Sequence, residues 1–408
     1  MDNEFTEFNS ADTDSETEHQ GWFSRIINSI VGVLVGLVMF FGSFVGIFIN
    51  EGTTDFAAVM RKAPIVAPDQ ANPQANGKLA SLTGPIAASP AIGDPNFVKP
   101  GSYALLNRTV EMYAWKEIKE TQSQKKTGGS KTTTTTYRYG KVWTTQPADS
   151  AKFRKSGYDN PKKAIPNQLI KPTALKIGQY NLDRINLTTI ANPIASCANG
   201  GNGSAKANNG GVMLPKQQLR LTPETIVPPA TTAGSPRVVN ENYFFLGRGT
   251  PDQPQVGDLR ICYQPLPLAT VVTAFGKVQG NQLAPAEYKS QRFFRLFTGD
   301  RRRAIANLKA EYKLWLWIFR FVGFLCMWMG LWLIFDPIST VLDFLPFLGD
   351  IAEGITGVTT LIAALVLSAV AMIISSLVQQ PIVLGGAILV TALILLSGKA
   401  GLRSWRGA

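Results

Sequence analysis

Residues 314–335 (LWLWIFRFVGFLCMWMGLWLIF) and residues 355–378 (ITGVTTLIAALVLSAVAMIISSLV) are two apolar stretches that decide the fold of this chain. The first contains a single charge, Arg320, and the second contains none. At a rise of about 1.5 Å per residue, each is long enough to cross a hydrocarbon core of about 30 Å as a helix. Buried helices of a soluble domain are the alternative, but such helices normally carry a polar face and these do not. We therefore predict transmembrane helices at residues 308–335 and 355–378.

Two further apolar stretches predict a first and a fourth span. Residues 26–49 carry no charge and follow Trp22 and Phe23, which are typical of the membrane interface. A signal peptide would have a positively charged start and a shorter apolar core, whereas this stretch is long and follows an acidic segment. We therefore predict a retained span at residues 25–49. Residues 382–398 follow a Gln-Gln-Pro turn and are predicted to return through the membrane as a shorter helix.

The segment between the first two spans, residues 50–307, is polar and predicts a β-rich domain. Its strand candidates alternate apolar and polar side chains or are rich in β-formers, and Gly and Pro recur between them: residues 103–118, 132–145, 175–182, 238–246, 258–263 and 269–278. The Gly/Asn-rich residues 199–211 predict a flexible insertion. The predicted fold class is an α+β membrane protein with four transmembrane helices, one N-terminal and three C-terminal, and a large β-rich extramembrane domain inserted after the first.

The remaining segments flank or connect these parts. The acidic residues 1–24 predict a disordered tail, and residues 399–408 predict a basic tail. Residues 336–354 are partly apolar but interrupted by Pro346, which predicts a linker in the membrane interface. Positive charges in the short tails, counted by the positive-inside rule, predict cytoplasmic termini and a non-cytoplasmic β-rich domain.

The net charge of +12 comes from the middle of the chain. Its Lys and Arg residues are scattered, except for a group shortly before the second span: Arg301, Arg302, Arg303 and Lys309. Nucleic-acid binding is one explanation of such charge. Contact with anionic lipid headgroups explains the juxtamembrane position more simply, so we predict that these four residues contact the membrane surface and that no nucleic acid binds.

Two features inside the predicted spans concern charge and packing. Arg320 lies about 9 Å by helix rise beyond Leu314, where the apolar stretch of the second span begins. Its guanidinium either reaches back to the membrane surface or is a functional intramembrane charge. The first span carries small residues at helical spacing, which predict a packing face for the C-terminal helices in preference to a homodimer contact: Gly32, Gly36, Ser43 and Gly46.

The reactive side chains argue against an enzyme. The sole histidine, His19, lies in the acidic tail, which excludes a Ser-His-Asp triad or a Cys-His pair in the folded part. At most one disulfide is possible, between Cys197 and Cys262, and the cysteine spacing does not support it. Three acids are available for acid/base chemistry, but turns and an exposed strand face explain their positions: Asp94, Glu111 and Asp258. We predict no catalytic residue, no cofactor and no metal.

Short motifs follow one another in a fixed order from about residue 45 to about residue 350: Asn50-Glu51-Gly52, Asp94-Pro95-Asn96-Phe97, Val110-Glu111-Met112-Tyr113-Ala114-Trp115, Val256-Gly257-Asp258-Leu259-Arg260, Val271-Val272-Thr273 and Gln279-Gly280-Asn281-Gln282-Leu283. Later positions of the same series are Trp315, Arg320, Gly323, Met329-Gly330-Leu331, Asp343 and Pro346. Taken in order, these motifs resemble the transmembrane protein 43 family, also called LUMA. We assign structural roles to four motif residues: Glu111, Tyr113, Trp115 and Asp258.

The resemblance implies a four-span protein whose large domain lies in the endoplasmic reticulum lumen or the perinuclear space. Eukaryotic members resemble self-associating organisers of the nuclear envelope that bind emerin and lamins; bacterial members lack such partners. We therefore predict a multi-pass membrane scaffold that contacts lipid, itself and other membrane proteins. Its predicted location is the endoplasmic reticulum or inner nuclear membrane if eukaryotic, and the cytoplasmic membrane if bacterial. An oligomeric channel or transporter, or a channel-modulating subunit, is the alternative.

Overall fold

The structure is a computed structural model that describes residues 7–125, 130–190, 193–194, 196–198, 211–228, 235–342 and 348–379. It divides into two compact units. One comprises Met1–Glu16, Asp55–Thr121 and Thr135–Glu311, and the other comprises Thr17–Thr54, Gln122–Thr134 and Tyr312–Ala408. Three predicted features fall wholly or almost wholly outside the described residues: the fourth span at residues 382–398, the basic tail at residues 399–408 and the flexible insertion at residues 199–211.

Four α-helices are described: α1 (Trp22–Glu51), α2 (Phe56–Lys62), α3 (Arg301–Leu342) and α4 (Leu348–Gln379). Within the described residues, three helices are long and apolar enough to cross a membrane, and they correspond to α1, α3 and α4. Many of their large apolar side chains are exposed, and Val38 of α1 is 74% exposed. Exposed apolar side chains all along a helix are typical of lipid-facing surfaces. Three of the four predicted spans are therefore present as helices.

The first turns of α3 lie before the predicted span. The helix begins at Arg301, seven residues before the predicted span, and the Asp300 carboxylate caps it by accepting a hydrogen bond from the Arg303 N–H (2.8 Å). The side chains of Ala304 and Leu308 are buried in the β-rich unit, so this part of the helix belongs to the packed domain.

The segment predicted as an interfacial linker, residues 336–354, is largely helical. α3 continues through Pro337 to its end, and α4 begins shortly afterwards at Leu348. The intervening residues 343–347 lie outside the described part of the chain. The described parts of the predicted linker, residues 336–342 and 348–354, therefore extend the two helices.

The β-rich domain predicted for residues 50–307 is present. Its strands, together with an N-terminal strand, are β1 (Glu7–Gln20), β2 (Ile65–Val66), β3 (Leu79–Ser89), β4 (Ile92–Asp94), β5 (Val98–Gly101), β6 (Tyr103–Lys125), β7 (Lys131–Thr144), β8 (Gln168–Ile170), β9 (Ala174–Ile177), β10 (Tyr180–Leu182), β11 (Thr189–Ile190), β12 (Gly211–Met213), β13 (Arg237–Val239), β14 (Tyr243–Leu246), β15 (Leu259–Pro267), β16 (Val271–Gln279), β17 (Gln282–Ala284), β18 (Ala286–Tyr288), β19 (Gln291–Phe293) and β20 (Arg295–Thr298). Two short 3-10 helices, Pro73–Ala75 and Ser150–Lys152, lie between strands.

A seven-stranded sheet has β6 at its centre. The strand order is β1-β7-β6-β15-β14-β13, and β8 also pairs with β6. The alternating sequence predicted one buried face for β6, but residues 104–114 are buried on both faces. Val110 packs in one hydrophobic cluster with residues such as Ile261, and Tyr113 packs on the other face with Trp143. Polar residues of β6 are therefore inside the domain and must be matched by hydrogen bonds.

Cys197 and Cys262 form a disulfide, with their Cα atoms 5.5 Å apart. Both are fully buried, and Cys262 lies on β15 beside β6. The sequence allowed this pair but did not favour it, because a separation of 65 residues says nothing about distance in the fold. Cys326, on α3, is free.

A nine-stranded sheet forms the second half of the domain. Its strands β3, β16, β17, β10 and β9 pair in succession and close into a ring around an apolar core. β3 was not among the predicted strands, because Gly84 and Pro85 interrupt its apolar pattern and both residues usually weaken strands. Antiparallel pairing with β16, from Leu79 to Pro85, nevertheless holds this strand in the ring.

The acidic tail differs from the prediction of disorder over residues 1–24. Residues 7–20 form β1, which lies at the edge of the seven-stranded sheet beside β7. Glu16 forms an ion pair with Arg154 (3.5 Å), and His19 hydrogen-bonds with Thr132 (3.0 Å). A polar strand with these partners needs no apolar pattern of its own, so the sequence carries little signal for it.

Candidate functional site

Arg320, the one charged residue in the apolar stretch of residues 314–335, forms a bidentate ion pair with Glu51. Its Nε lies 2.7 Å from Glu51 Oε1, and its Nη2 lies 2.8 Å from Oε2. The Glu51 side chain is 5% exposed and that of Arg320 is 19% exposed. Two parallel charge-assisted hydrogen bonds fix the angle as well as the distance between the groups. Because Glu51 is the last residue of α1 and Arg320 lies on α3, the pair joins two predicted spans.

Helix α4 completes this arrangement. Ser376 donates a hydrogen bond from its hydroxyl to Glu51 Oε2 (2.9 Å), and Gln379 donates from its side-chain amide to the Phe48 carbonyl (3.3 Å). Asn50 donates from its side-chain amide to the Leu316 carbonyl of α3 (3.1 Å). We name this group of five side chains the polar junction: Asn50, Glu51, Arg320, Ser376 and Gln379. All three long helices contribute to it.

The contacts of Arg320 bear on whether its guanidinium reaches back to the membrane surface or is a functional intramembrane charge. Its guanidinium also lies 4.9 Å from the centre of the Trp317 ring, so an aromatic face covers part of the charge. An arginine within a span is costly unless it is paired, and Glu51 supplies the pairing. Sequence reasoning missed Glu51 as a partner because 269 residues separate the two. The sequence did offer one signal for this partner, since Glu51 is an acid directly after the apolar stretch of residues 26–49.

The small residues of α1 fall into two groups. Buried small or polar residues recur every seventh position: Ser29, Gly36, Ser43 and Asn50. A Cβ added at Gly36 would lie 2.7 Å from the backbone oxygen of Gly330, so α1 and α3 approach backbone to backbone there. Gly32 faces Leu333 at an ordinary distance, whereas Gly46 has no neighbour within 4 Å. Of the predicted packing residues, the structure places Gly32, Gly36 and Ser43 on the inner face and Gly46 on the outer face.

Leucine at position 36 is expected to destabilise the helical unit by about 1–3 kcal/mol, because the new side chain meets the backbone of α3. The matched control is Gly46→Leu, which adds the same side chain to the same helix in open space. Thermal unfolding of both full-length variants in detergent, followed by the helical circular-dichroism signal, measures the difference. Equal melting temperatures for the two variants would contradict the close approach at Gly36.

The four cations predicted to contact the membrane surface have different environments. Arg302, Arg303 and Lys309 are exposed. Arg301 is half-buried and donates from Nη2 to the Met60 carbonyl (2.6 Å), and it also contacts the carbonyls of Arg61 and Ala63. These carbonyls lie at the C-terminal end of α2, where helix carbonyls lack partners and attract cations. Arg301 therefore caps the C-terminal end of α2, and its guanidinium is hydrogen-bonded within the protein.

The acids considered for catalysis are all buried and bonded. Asp94 accepts hydrogen bonds at Oδ2 from Arg108 Nη1 (2.6 Å) and from the Tyr263 hydroxyl (2.8 Å). Burial, and then the Asp94 charge, raise the pKa of Tyr263, which therefore stays protonated and donates. Gln168 accepts from Arg108 Nη2 (2.9 Å). This arrangement satisfies a buried charge pair and joins β4, β6, β8 and β15.

Asp258 organises a loop. Its carboxylate accepts hydrogen bonds from three backbone N–H groups, those of Arg248, Gly249 and Gln255 (2.9, 3.1 and 2.7 Å). A Cβ at Gly247 would overlap this carboxylate, and its φ of 157° also suits glycine. The role predicted for Asp258, in a turn, matches this geometry.

The other motif residues lie on β6. Glu111 accepts a hydrogen bond from the Cys197 backbone N–H (3.2 Å), beside the disulfide. Tyr113 packs on Trp143, with ring centres 5.2 Å apart. Trp115 meets Tyr158 edge-on at 4.8 Å. These contacts are all internal to the domain. Glu111 was expected on an exposed strand face and is instead buried, because β6 is covered on both sides.

One further aromatic pair also makes its contacts inside the β-rich domain. Tyr139 stacks on Tyr158 with ring centres 4.0 Å apart, and its hydroxyl donates to Glu117 (2.8 Å). Burial, and then the hydrogen bond to Glu117, raise the pKa of Tyr139 to about 12. Among the described residues, no group of three or more His, Cys, Asp or Glu side chains is placed to hold a metal ion.

Comparison with known proteins matches the sequence of this chain to one family. The family model described as Transmembrane protein 43 matches residues 112–381. The chain is 26% identical to transmembrane protein 43 of Rattus norvegicus over 373 residues, which cover 85% of this chain and 86% of that protein. The Homo sapiens protein of the same name is 26% identical over 353 residues, with 82% of this chain and 80% of the human protein covered. No solved structure matches the chain. The resemblance seen in the sequence is confirmed, and the chain belongs to the transmembrane protein 43 family.

Proposed function

We propose that this protein is a multi-pass membrane scaffold that organises membrane-associated complexes through self-association and through its β-rich domain. The polar junction is the observation that carries the proposal. Its one positive charge is matched by one carboxylate in a bidentate pair, and the neighbouring amides and hydroxyl bond to other helices. Such contacts fix the positions of helices relative to one another. A scaffold requires fixed helices more than it requires mobile charge.

A channel or transporter is less well supported. Conducting pathways are lined by several polar or ionisable groups that face a shared aqueous space. In the described spans, the charged pair is bonded to itself and to Ser376, and Trp317 covers part of Arg320. A side chain that must bind and release ions would instead keep some of its polar atoms free of hydrogen bonds to the protein.

An enzyme is also less well supported, because the acids available for chemistry are already in use. Asp94 balances Arg108, Asp258 binds three backbone amides, and Glu111 binds the Cys197 amide. A general acid or base needs an accessible proton that can move during the reaction. All three of these carboxylates are nearly inaccessible. Their geometry favours structural roles for the family motifs.

Crosslinking of the full-length protein in its native membrane tests the scaffold. We expect discrete species larger than a monomer, together with co-purified membrane proteins. In parallel, purified protein in liposomes is expected to conduct no ions. Only monomers after crosslinking would contradict the self-associating scaffold, and an ion flux that Arg320→Ala abolishes would favour the channel.

We further propose that the β-rich domain faces an oxidising compartment. Disulfides persist in the endoplasmic reticulum lumen, the perinuclear space and the bacterial periplasm, and are rare in the cytosol. The Cys197–Cys262 disulfide supports this side of the membrane. The proposal fits the endoplasmic reticulum or inner nuclear membrane in a eukaryote and the cytoplasmic membrane in a bacterium.

The N-terminal strand bears on this orientation. If α1 crosses a bilayer once, the residues before and after it lie on opposite faces, and β1 cannot pair with β7. We propose that the crossing prevails in a membrane, because burial of about twenty apolar residues outweighs the pairing of one polar edge strand. Labelling of a cysteine introduced at Glu16, in sealed vesicles, tests this. A residue 16 that is labelled from the same side as the β-rich domain would reverse the proposal.

A further inference from the structure

Three elements of the β-rich unit pack together where the chain enters and leaves the predicted spans. They are α2, the β18–β19 hairpin and the first three turns of α3, residues 301–311. Phe56 of α2 stacks on Phe293 of β19, with ring centres 4.1 Å apart. Arg301 of α3 bonds to the end of α2, and one apolar cluster contains residues of all three elements. We call this group the juxtamembrane module.

The juxtamembrane module carries an excess of exposed positive charge. Seven exposed cations lie on it: Arg61, Lys62, Lys289, Arg292, Arg302, Arg303 and Lys309. Four acids lie in the module or directly beside it. Asp55 caps α2, Asp300 caps α3, and Glu311 pairs with Arg295 at 3.5 Å. Glu287 of β18 is exposed and lies opposite Arg292 in the strand pairing. These four acids do not balance the seven exposed cations, so the module keeps an excess of positive charge.

The turn of the hairpin adds a second observation. Lys289 and Ser290 both have positive φ, 48° and 62°, as a two-residue turn of this kind requires. Asn and Gly are favoured at such positions, and other residues adopt this backbone at a cost. The sequence thus holds a lysine at the exposed tip of the hairpin, where a less strained residue would serve the turn better.

The position of the module along the chain indicates what the cations meet. α2 begins five residues after the end of α1, and Lys309 precedes the apolar stretch that starts at Leu314 by about 7 Å of helix rise. The cations of α2 and of the start of α3 therefore lie within a few residues of the predicted spans along the chain. Lys and Arg near an anionic membrane surface are attracted to it. Nucleic acid and acidic proteins would not explain why both connections to the spans carry this charge.

We propose that the juxtamembrane module binds the headgroups of anionic phospholipids, through cations of α2, the β18–β19 hairpin and α3 together. Arg301 is excluded from this set, because its guanidinium closes α2. The inference rests on the membrane embedding of the chain and not on its role as a scaffold. The module thereby selects lipid at the surface of the β-rich domain.

The test uses the full-length chain reconstituted in phosphatidylcholine vesicles that contain a trace of spin-labelled lipid. Electron paramagnetic resonance measures the motionally restricted fraction of spin-labelled phosphatidylserine and of spin-labelled phosphatidylcholine. We expect wild-type protein to restrict phosphatidylserine at least about fivefold more strongly, the effect of about one cation at an anionic surface. High salt should reduce this preference.

A charge-removal variant and a matched control make the test specific. The variant replaces four module cations by glutamine: Arg61, Lys62, Arg302 and Arg303. The control replaces four exposed cations outside the module: Lys152, Lys162, Lys216 and Arg220. We expect the preference to fall clearly in the variant, which keeps Lys289, Arg292 and Lys309, and to persist in the control. Unchanged melting temperatures establish that both are folded, as expected for exposed side chains.

Three outcomes would overturn the proposal. The first is a wild-type protein with no preference between the two lipids. The second is a variant that keeps the preference, or a control that loses it equally. The third is binding of polyglutamate by the module without any lipid preference, which would assign the surface to an acidic protein. None of these measurements depends on crosslinking or on ion flux, so failure here is separate from failure of the scaffold.

Discussion

Replacing Arg320 by alanine is expected to lower the free energy of unfolding of the helical unit by about 3–5 kcal/mol. The loss leaves the Glu51 carboxylate buried and unpaired, with only the Ser376 hydroxyl as a neutral partner. Glu51→Ala should lower the free energy of unfolding by a similar amount, because it leaves the Arg320 guanidinium without its ion-pair partner. Denaturation of the full-length chain in detergent, followed by the helical circular-dichroism signal, measures both.

The double variant separates pairing from other effects. Glu51→Ala combined with Arg320→Ala removes both charges, so its cost should be clearly smaller than the sum of the two single costs. Lys313→Ala, an exposed position on the same helix, serves as control and should change stability by less than about 0.5 kcal/mol. Additive single costs would mean that Glu51 and Arg320 do not stabilise one another.

A smaller effect of the same kind is expected on α4. Ser376→Ala removes the hydrogen bond to Glu51 and should cost about 1 kcal/mol. Ser368 is the matched comparison, because its buried hydroxyl bonds only to the Leu365 carbonyl of its own helix (3.1 Å). If Ser368→Ala destabilises the protein more than Ser376→Ala, the polar junction does not include α4.

Serine at Cys197 or Cys262 is expected to destabilise the β-rich domain by about 4 kcal/mol. The disulfide closes a loop of 65 residues. The expected magnitude follows from the conformational entropy that the unfolded chain loses when a loop of this length is closed. Thermal unfolding of the full-length protein under non-reducing conditions measures the shift. The same shift should follow when wild-type protein is unfolded in the presence of a reductant.

Cys326→Ser supplies the control for the disulfide variants. Cys326 is free and lies on α3, so its replacement should leave the unfolding of the β-rich domain unchanged. Alkylation in intact membranes, followed by mass spectrometry, should modify only this one cysteine. Modification of all three cysteines would mean that the bond is absent in the cell, and the proposed oxidising compartment would lose its support.

The three long helices could be predicted because each carries its own signal. Apolar runs of more than twenty residues need no distant partner to be recognised as spans. Strands β6, β7 and β16 were likewise recognisable from local patterns, such as the alternation of β6 and the many β-formers of β7. β3 was not, since Gly84 and Pro85 lie within it and only pairing with β16 compensates for them. The N-terminal strand was missed for the related reason that its partners lie more than a hundred residues away.

The polar junction shows where sequence reasoning stops. Arg320 was identifiable as unusual from its surroundings alone. Its partner Glu51 was not, because contacts between helices depend on rotation and register that no local pattern specifies. The same holds for Arg301, which was grouped with its neighbours by charge although its hydrogen bonds to α2 set it apart. Charge and hydropathy predict where a residue lies, and only the fold reveals what it binds.

The seven-residue recurrence on α1 constrains how that helix can be re-engineered. Ser29, Gly36, Ser43 and Asn50 share one stripe, and Glu51 follows directly after it. One added residue turns everything beyond it by about 100°, whereas seven added residues nearly restore the original direction. A single-residue insertion after Gly36 would therefore turn Glu51 toward lipid and leave Arg320 without its ion-pair partner. The length of this helix can change in whole repeats but not in single steps.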